Sequence, residues 1–257
     1  MYIMSSIVAE NYNSKAVVNL WPDFIDWSKR RQGENGFLKK TLEKNKVNSV
    51  FDSCLGDGCD SIYLLKEGFD VTSNDFDLEF IKKAQENARK ENVKLNISSF
   101  DWRELGRHYD KESFDAVLCL GNSLTYLFCK KDQLNTLRQF YKILKKDGIL
   151  VIDERNYQYF LDEKDEILKG NFRYSGKFVY CGKKVHAYPI KIEKNRVVME
   201  YSDKNKKNKG NLVLYPFRRN EMKKLLAEAG FKKIQQFSDY KKEFNPDADF
   251  YIYVCRK

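Results

Sequence analysis

Between residues 47 and 153, short apolar runs alternate with stretches whose apolar residues recur at helical spacing, and this alternation constrains the fold more than any other feature. Residues 47–53 are apolar and β-branched, and they lead into a glycine pair, Gly56 and Gly58. Ile62, Leu64 and Leu65 run to Gly68, a helix stop, and residues 69–73 predict a second strand ending at Asp75. Phe80, Ile81, Ala84 and Ala88 share one face of a helix over 78–91, and residues 93–99 predict a third strand. Residues 114–120 form the continuous apolar run of a strand buried on both faces, followed by a helix over 134–144 and a fifth strand over 148–153. Strands and helices alternating at this spacing imply right-handed βαβ units and a doubly wound, mostly parallel sheet of the α/β class.

Beyond Arg155 the pattern changes. From residue 171 to 215, β-branched and aromatic residues alternate with polar ones and are broken by Gly176, Gly182, Asn195 and Gly210, which predicts a small antiparallel insertion. A helix over 218–229 closes on Gly230, and strands over 231–237 and 250–255 bring the main sheet to seven, the last as an antiparallel edge. The expected division is a helical lid over 1–45, a cofactor-binding core over 46–165, a β-rich substrate module over 166–216, and a helix and strands over 217–257 that complete the core.

With 42% hydrophobic and 14% aromatic residues the chain is not a disordered one, despite 33% charged residues. Its longest uncharged run, residues 116–129, is too short for a membrane span, and the first residues lack the pattern of a signal peptide. The six cysteines form no CxxC pair and there are only two histidines, so no metal site is expected, and reduced cysteines fit a cytoplasmic protein. The net charge of +10 raises nucleic acid, an anionic membrane or an anionic small ligand as partners. Most basic doublets sit among acids and read as solvated surface, so neither nucleic acid nor membrane is the expected partner. The sharpest cluster is Lys204-Asn-Lys-Lys-Asn-Lys-Gly210, which has the composition of a hairpin tip.

Three features point to a nucleoside cofactor. Asp52-Ser-Cys-Leu-Gly56-Asp-Gly58 follows the first strand and opens a helix, where glycines let the backbone turn tightly and approach a ligand. Asp75 ends the second strand, where a carboxylate can accept both hydroxyls of a ribose, or else cap the following helix. Asp101-Trp102 follows the third strand, where the acid can accept from an adenine amino group and the indole can pack beside the ring. The loop lacks the third glycine of a pyrophosphate site and there is no Gly-Lys-Ser/Thr, so the set favours S-adenosyl-L-methionine over a dinucleotide and excludes a P-loop.

The glycine loop continued to Ile62, with Glu67-Gly-Phe69, resembles the first motif of the glycine N-methyltransferase family. So does Cys119-Leu-Gly-Asn-Ser123, and Val151-Ile-Asp-Glu-Arg-Asn-Tyr157 is similar to that family's segment after strand five. The family includes the glycine/sarcosine and sarcosine/dimethylglycine methyltransferases that make betaine, and it has the Rossmann-like class I methyltransferase fold. The resemblance implies that Tyr12, Trp21 and Arg30 cover the cofactor, with Arg30, or Arg31 in a neighbouring register, on its methionine carboxylate. It implies that Gly56 approaches the methionine and ribose, that Asp75 holds the ribose and Asp101 and Trp102 flank the adenine, and that the Leu120 backbone meets the methionine amino group. Asn122, Arg155 and Tyr157 would hold an acceptor amino acid, with Tyr180, Tyr201 and Tyr215 further away. Asp57 stands where the family usually has a small hydroxyl residue. The reaction implied is methyl transfer to glycine, sarcosine or dimethylglycine. The alternatives are another small amine or carboxylic acid, RNA or protein as acceptor, or a non-catalytic cofactor-binding protein.

Overall fold

The computed structural model describes residues 14–173 and 184–257, so Tyr12 and Tyr180 lie outside the described residues. Three helices, α1 (Ser14–Phe24), α2 (Trp27–Glu34) and α3 (Phe37–Lys44), precede the first strand. The main sheet takes β1 (Ser49–Asp52), β2 (Asp70–Asn74), β3 (Asn96–Ser98), β4 (Phe114–Cys119), β5 (Leu144–Arg155), β9 (Lys232–Ser238) and β10 (Phe250–Arg256). Their order is β3-β2-β1-β4-β5-β10-β9, parallel except for β10, which runs antiparallel to both of its neighbours. The helices α4 (Cys59–Lys66), α5 (Leu78–Lys90) and α6 (Lys130–Ile143) make the crossovers, and α9 (Glu221–Glu228) packs beside α6. Ala116, Val117, Leu118 and Cys119 of β4 are wholly buried, as the unbroken apolar run requires. The strand order reverses between β1 and β4, and such a switch point opens a crevice at the carboxyl ends of the strands.

The smaller sheet, β6 (Val185–Glu193), β7 (Arg196–Asp203) and β8 (Lys209–Leu214), is antiparallel. Its inner face shares one apolar cluster with Val17, Leu20 and Phe24 of α1 and with Tyr157 and Phe160. The N-terminal segment, expected as a lid on the core, is therefore also built into the small sheet. Gly210 makes this possible, because a Cβ there would lie 2.6 Å from Val17 Cγ2 and 3.1 Å from the Val17 backbone nitrogen.

Two expectations are corrected. The fifth strand, expected over 148–153, starts at Leu144, which pairs with Phe114 before an irregularity in the ladder. Lys145 holds this extension through a 2.9 Å ion pair to Asp115, and Asp147 takes a left-handed turn at φ 62°. The third strand shrinks to Asn96–Ser98. Two short helices, α7 (Tyr157–Asp162) and α8 (Lys164–Leu168), were not legible, since each buries only one or two side chains. Among the described residues no helix is long and apolar enough to cross a membrane.

One carboxyl sits inside this frame. Glu154 is buried, its Oε1 accepts from Tyr253 Oη at 2.7 Å, and its Oε2 has no partner. Burial pushes it from its ordinary 4.5 up to about 8, so the folded chain holds a proton that the unfolded chain releases. Stability contributed by that proton is present below pH 4.5 and is lost as pH rises through about 8. Glu154→Gln is expected to flatten this decline, gaining on the order of 1–3 kcal/mol over the parent at pH 9 relative to pH 5. Chemical denaturation at the two pH values measures the difference.

Candidate active site

The crevice between β1 and β4 opens into a cavity of about 660 Å³, a common size for small-molecule sites. On its floor the loop after β1 turns through Gly56 at φ +53° and Gly58 at φ +89°. A Cβ on Gly58 would press on Ile62 Cδ1 at 3.1 Å and Ala84 Cβ at 3.2 Å, whereas Gly56 has nothing within 4 Å and leaves its backbone open to a ligand. The Gly56 amide donates to Asp75 Oδ2 at 2.7 Å and the Asp77 amide to Asp75 Oδ1 at 2.9 Å. The helix cap, one of the two roles open to Asp75, comes instead from Asp77, which accepts from the Glu79 amide at 2.9 Å. Asp75 thus faces the cavity with its carboxylate braced and lone pairs remaining on both oxygens. Burial raises it to about 6, with those two backbone donors opposing the rise.

The wall carries Trp21, Arg30, Asp101, Trp102 and Leu120 as well. Arg30 Nη2 donates to Asp60 Oδ2 at 2.6 Å, while Arg31 pairs with Asp60 and Glu34 and stacks over Tyr63 at 4.5 Å. Of the two arginines left open by the sequence, Arg30 is the one on the cavity wall. Asp60 is deeply buried, which alone would raise it, yet the two guanidinium groups hold it below the ordinary carboxylate range. Trp102 is anchored through Nε1 to the Ser53 carbonyl at 2.6 Å, so its indole is fixed beside the cavity. Asp101 is clamped by Arg103, whose Nη2 donates to Oδ2 at 2.6 Å and whose Nη1 reaches Asp132 at 3.2 Å. The Leu120 carbonyl already accepts from Ser123 Oγ at 2.7 Å and from the Cys54 thiol at 3.1 Å. A ligand amine meeting it would have to displace the thiol, the weaker of the two donors.

Asn122, Arg155 and Tyr157 do not line this cavity; they gather behind the turn whose Gly121 and Ser123 do. The turn is held in left-handed geometry, φ 72° at Gly121 and 65° at Asn122, by the Asp153 carboxylate. That carboxylate accepts from the Asn122 amide at 2.6 Å and the Gly121 amide at 3.1 Å. Burial raises Asp153 to about 6. The Asn122 side chain donates to Tyr157 Oη at 2.6 Å and accepts from the Arg155 amide at 3.0 Å. Tyr157 is fully buried and pushed up to about 12 by that burial, so its hydroxyl keeps its proton at neutral pH. The Arg155 guanidinium lies over Phe250 at 4.8 Å and Phe160 at 5.8 Å. The two acids that precede it in the chain are engaged elsewhere, Asp153 by the turn and Glu154 by Tyr253. Tyr201 packs edge-on against Phe24 at 4.9 Å, and the Tyr215 hydroxyl donates to Glu221 at 2.7 Å.

A methyltransferase-domain family matches residues 50–148. The glycine/sarcosine N-methyltransferase of Aphanothece halophytica is 38% identical over 96% of this chain and 91% of its own length. The glycine/sarcosine/dimethylglycine N-methyltransferase of Actinopolyspora halophila is 37% identical over 93% of this chain and 41% of its own. This chain belongs to the glycine/sarcosine N-methyltransferase family. The fold agrees: an S-adenosylmethionine-dependent methyltransferase structure from Clostridium acetobutylicum superposes with a TM-score of 0.68 at 16% identity, covering 95% of this chain and 96% of that one. The chain is therefore an S-adenosylmethionine-dependent methyltransferase, and the cavity fits its cofactor. The open backbone at Gly56, the braced Asp75 and the fixed Trp102 suit a nucleoside, and the Arg30 cation suits a carboxylate.

Within this family member, the acid at position 57 has a structural explanation. Asp57 Oδ2 accepts from Trp27 Nε1 at 2.9 Å, tying α2 to the glycine loop. Sequence reasoning missed this tie and the Arg103 clamp because both partners are distant or unremarkable in the chain; the acid itself was the only signal. Cofactor affinity should depend on Asp75 being ionised, since ribose hydroxyls donate to it. Affinity for S-adenosylhomocysteine, measured by calorimetry, is expected to fall as pH drops through about 6. Asp75→Asn should lose about 1–3 kcal/mol and remove most of that pH dependence.

Proposed function

We propose that this enzyme transfers the methyl group of S-adenosylmethionine to the amine of glycine or its N-methylated derivatives. The observation that carries the reading is the Asn122 bridge. One carboxamide joins Arg155 and Tyr157 to the turn that forms the cavity wall, so an acceptor held by these residues lies beside the cofactor. The names of the relatives point to the same acceptors. In this reading Arg30 takes the cofactor's carboxylate and Asp75 its ribose, Asp101 and Trp102 flank its base, and Leu120 borders its amino acid part. Residues 1–45 and 166–216 would close the site over the core of 46–165 and 217–257.

When bound, the cofactor supplies an electrophilic methyl on a sulfonium. The protein's task is then positioning: a neutral amine must be held in line with that methyl, at about 3 Å. Arg155 would bind the acceptor carboxylate, Asn122 would add its remaining amide hydrogen, and the protonated Tyr157 hydroxyl would complete a polar pocket in an apolar surround. Binding the carboxylate firmly fixes the amine, so the interaction contributes to rate as well as to affinity.

The test is a panel of amines incubated with labelled cofactor, with products identified by mass. Glycine, sarcosine or dimethylglycine should be methylated, and activity confined to amines lacking a carboxylate would overturn the reading. Arg155→Lys is expected to lower kcat/KM for the amino acid by on the order of 2–4 kcal/mol, because an ammonium cannot reproduce two parallel hydrogen bonds. Cofactor affinity should hardly change. Near-normal turnover in this variant would remove Arg155 from the acceptor site.

A further inference from the structure

A second cleft, of about 750 Å³, lies on the far side of α1 from the cofactor cavity, between that helix and the tip joining β7 to β8. Lys15, Asn19 and Asp23 reach it from α1, spaced by four residues and so on one helical face. The tip contributes Lys204, Lys207 and Lys209, and Lys184 stands beside it. Five lysines and two acids line the cleft; Lys209 pairs with Glu200 at 3.4 Å from outside it, and both acids of the cleft are themselves engaged. Asp23 pairs with Lys184 at 3.2 Å. Asp203 accepts from the Lys207 amide at 2.9 Å and the Asn208 side chain at 2.7 Å to hold the turn. Among the described residues no carboxylate lies within 4.0 Å of the Lys15, Lys204 or Lys207 ammonium.

Such a cleft attracts anions. Among the described residues its cations are all lysines, compact point charges that match tetrahedral phosphate, with no guanidinium fork for planar carboxylate recognition. Asn19, Asn205 and Asn208 add neutral amide donors, and among the described residues no aromatic ring lines the walls to stack on a base. Its volume and the spread of its lysines over three chain segments suit several linked phosphates better than one. We propose that this cleft binds an oligophosphate chain, either free or as part of a nucleoside triphosphate, and that binding is felt at the cofactor cavity.

The coupling follows from α1 itself. One face of the helix lines the phosphate cleft, and Trp21 lines the cofactor cavity, packed edge-on to Phe80 at 5.6 Å. The tip cannot slide on the helix without disturbing the close contact of Gly210 with Val17. An anion bridging Lys15 to Lys204 and Lys207 would hold α1 against the small sheet, and with it Trp21 at the cavity. By reciprocity, a filled cofactor cavity would then favour the anion.

Calorimetry with inorganic tripolyphosphate and, separately, with ATP at 0.15 M salt tests this on the whole chain. Both should bind, and ATP binding no tighter than tripolyphosphate assigns recognition to the phosphate chain alone. The double variant Lys204→Ala, Lys207→Ala should weaken tripolyphosphate by about tenfold or more, with its melting temperature retained. The control Lys232→Ala, Lys233→Ala removes the same charge from β9 and should leave affinity unchanged. Equal losses in the two variants, or no binding to the parent, would overturn the site. Saturating tripolyphosphate should tighten S-adenosylhomocysteine binding by about fivefold, and an unchanged affinity would overturn the coupling. Neither readout depends on which amine the enzyme methylates.

Discussion

The Asp153 carboxylate is spent on two backbone amides, and the arrangement of the candidate acceptor site depends on that choice. Consecutive left-handed residues leave N–H groups pointing the same way, and at the end of a buried strand they need an acceptor fixed in place. Asp153, at the end of β5, reaches across to the turn at the end of β4 and does so. From the fixed turn, the Asn122 side chain reaches Arg155 and Tyr157. Asp75 repeats the device on the other side of the crevice, with the Gly56 and Asp77 amides. Each acid is raised to about 6 by burial, so both arrangements are intact at neutral pH and weaken below it.

Between these two anions the chain places its cations sparingly. Arg30 and Arg31 share Asp60, and Arg103 is shared by Asp101 and Asp132, so the cavity wall combines cations and acids already in register. A buried acid held by two guanidinium groups keeps those groups oriented, which lowers the ordering needed when a carboxylate arrives. The N-terminal helices are held in the same spirit. Trp27 reaches Asp57, and α1 rests on Gly210, so the N-terminal helices are fastened at both the core and the small sheet.

Much of this was legible from residue order alone, and the limits are instructive. The seven strands and their parallel character followed from apolar runs broken at glycines, because burial on both faces leaves no room for polar alternation. Gly56, Asp75, Asp101 and Trp102 could be singled out because strand ends on a doubly wound sheet converge on one crevice. What escaped were interactions between residues far apart in the chain: Arg103 with Asp132, Trp27 with Asp57, Asp153 with the turn. Residue type does not announce a partner thirty positions away. Register was equally hidden at Arg30 and Arg31, where adjacent identical side chains point to different surroundings and only geometry separates them. The short helices α7 and α8 escaped for a simpler reason: with six and five residues they show too little periodicity to stand out.

The central claim is that one carboxamide, Asn122, joins the acceptor residues to a cavity that binds cofactor without it. Paired measurements on Asn122→Ala test this most directly, with steady-state kinetics for the acceptor amino acid and calorimetry for S-adenosylhomocysteine. The account expects kcat/KM for the amine to fall by about a hundredfold or more, as Arg155 and Tyr157 lose their common partner. Cofactor affinity should stay within about threefold of the parent, because no bond from this side chain reaches the cavity wall assigned to the cofactor. Equal losses in both measurements, or an unchanged kcat/KM, would contradict it.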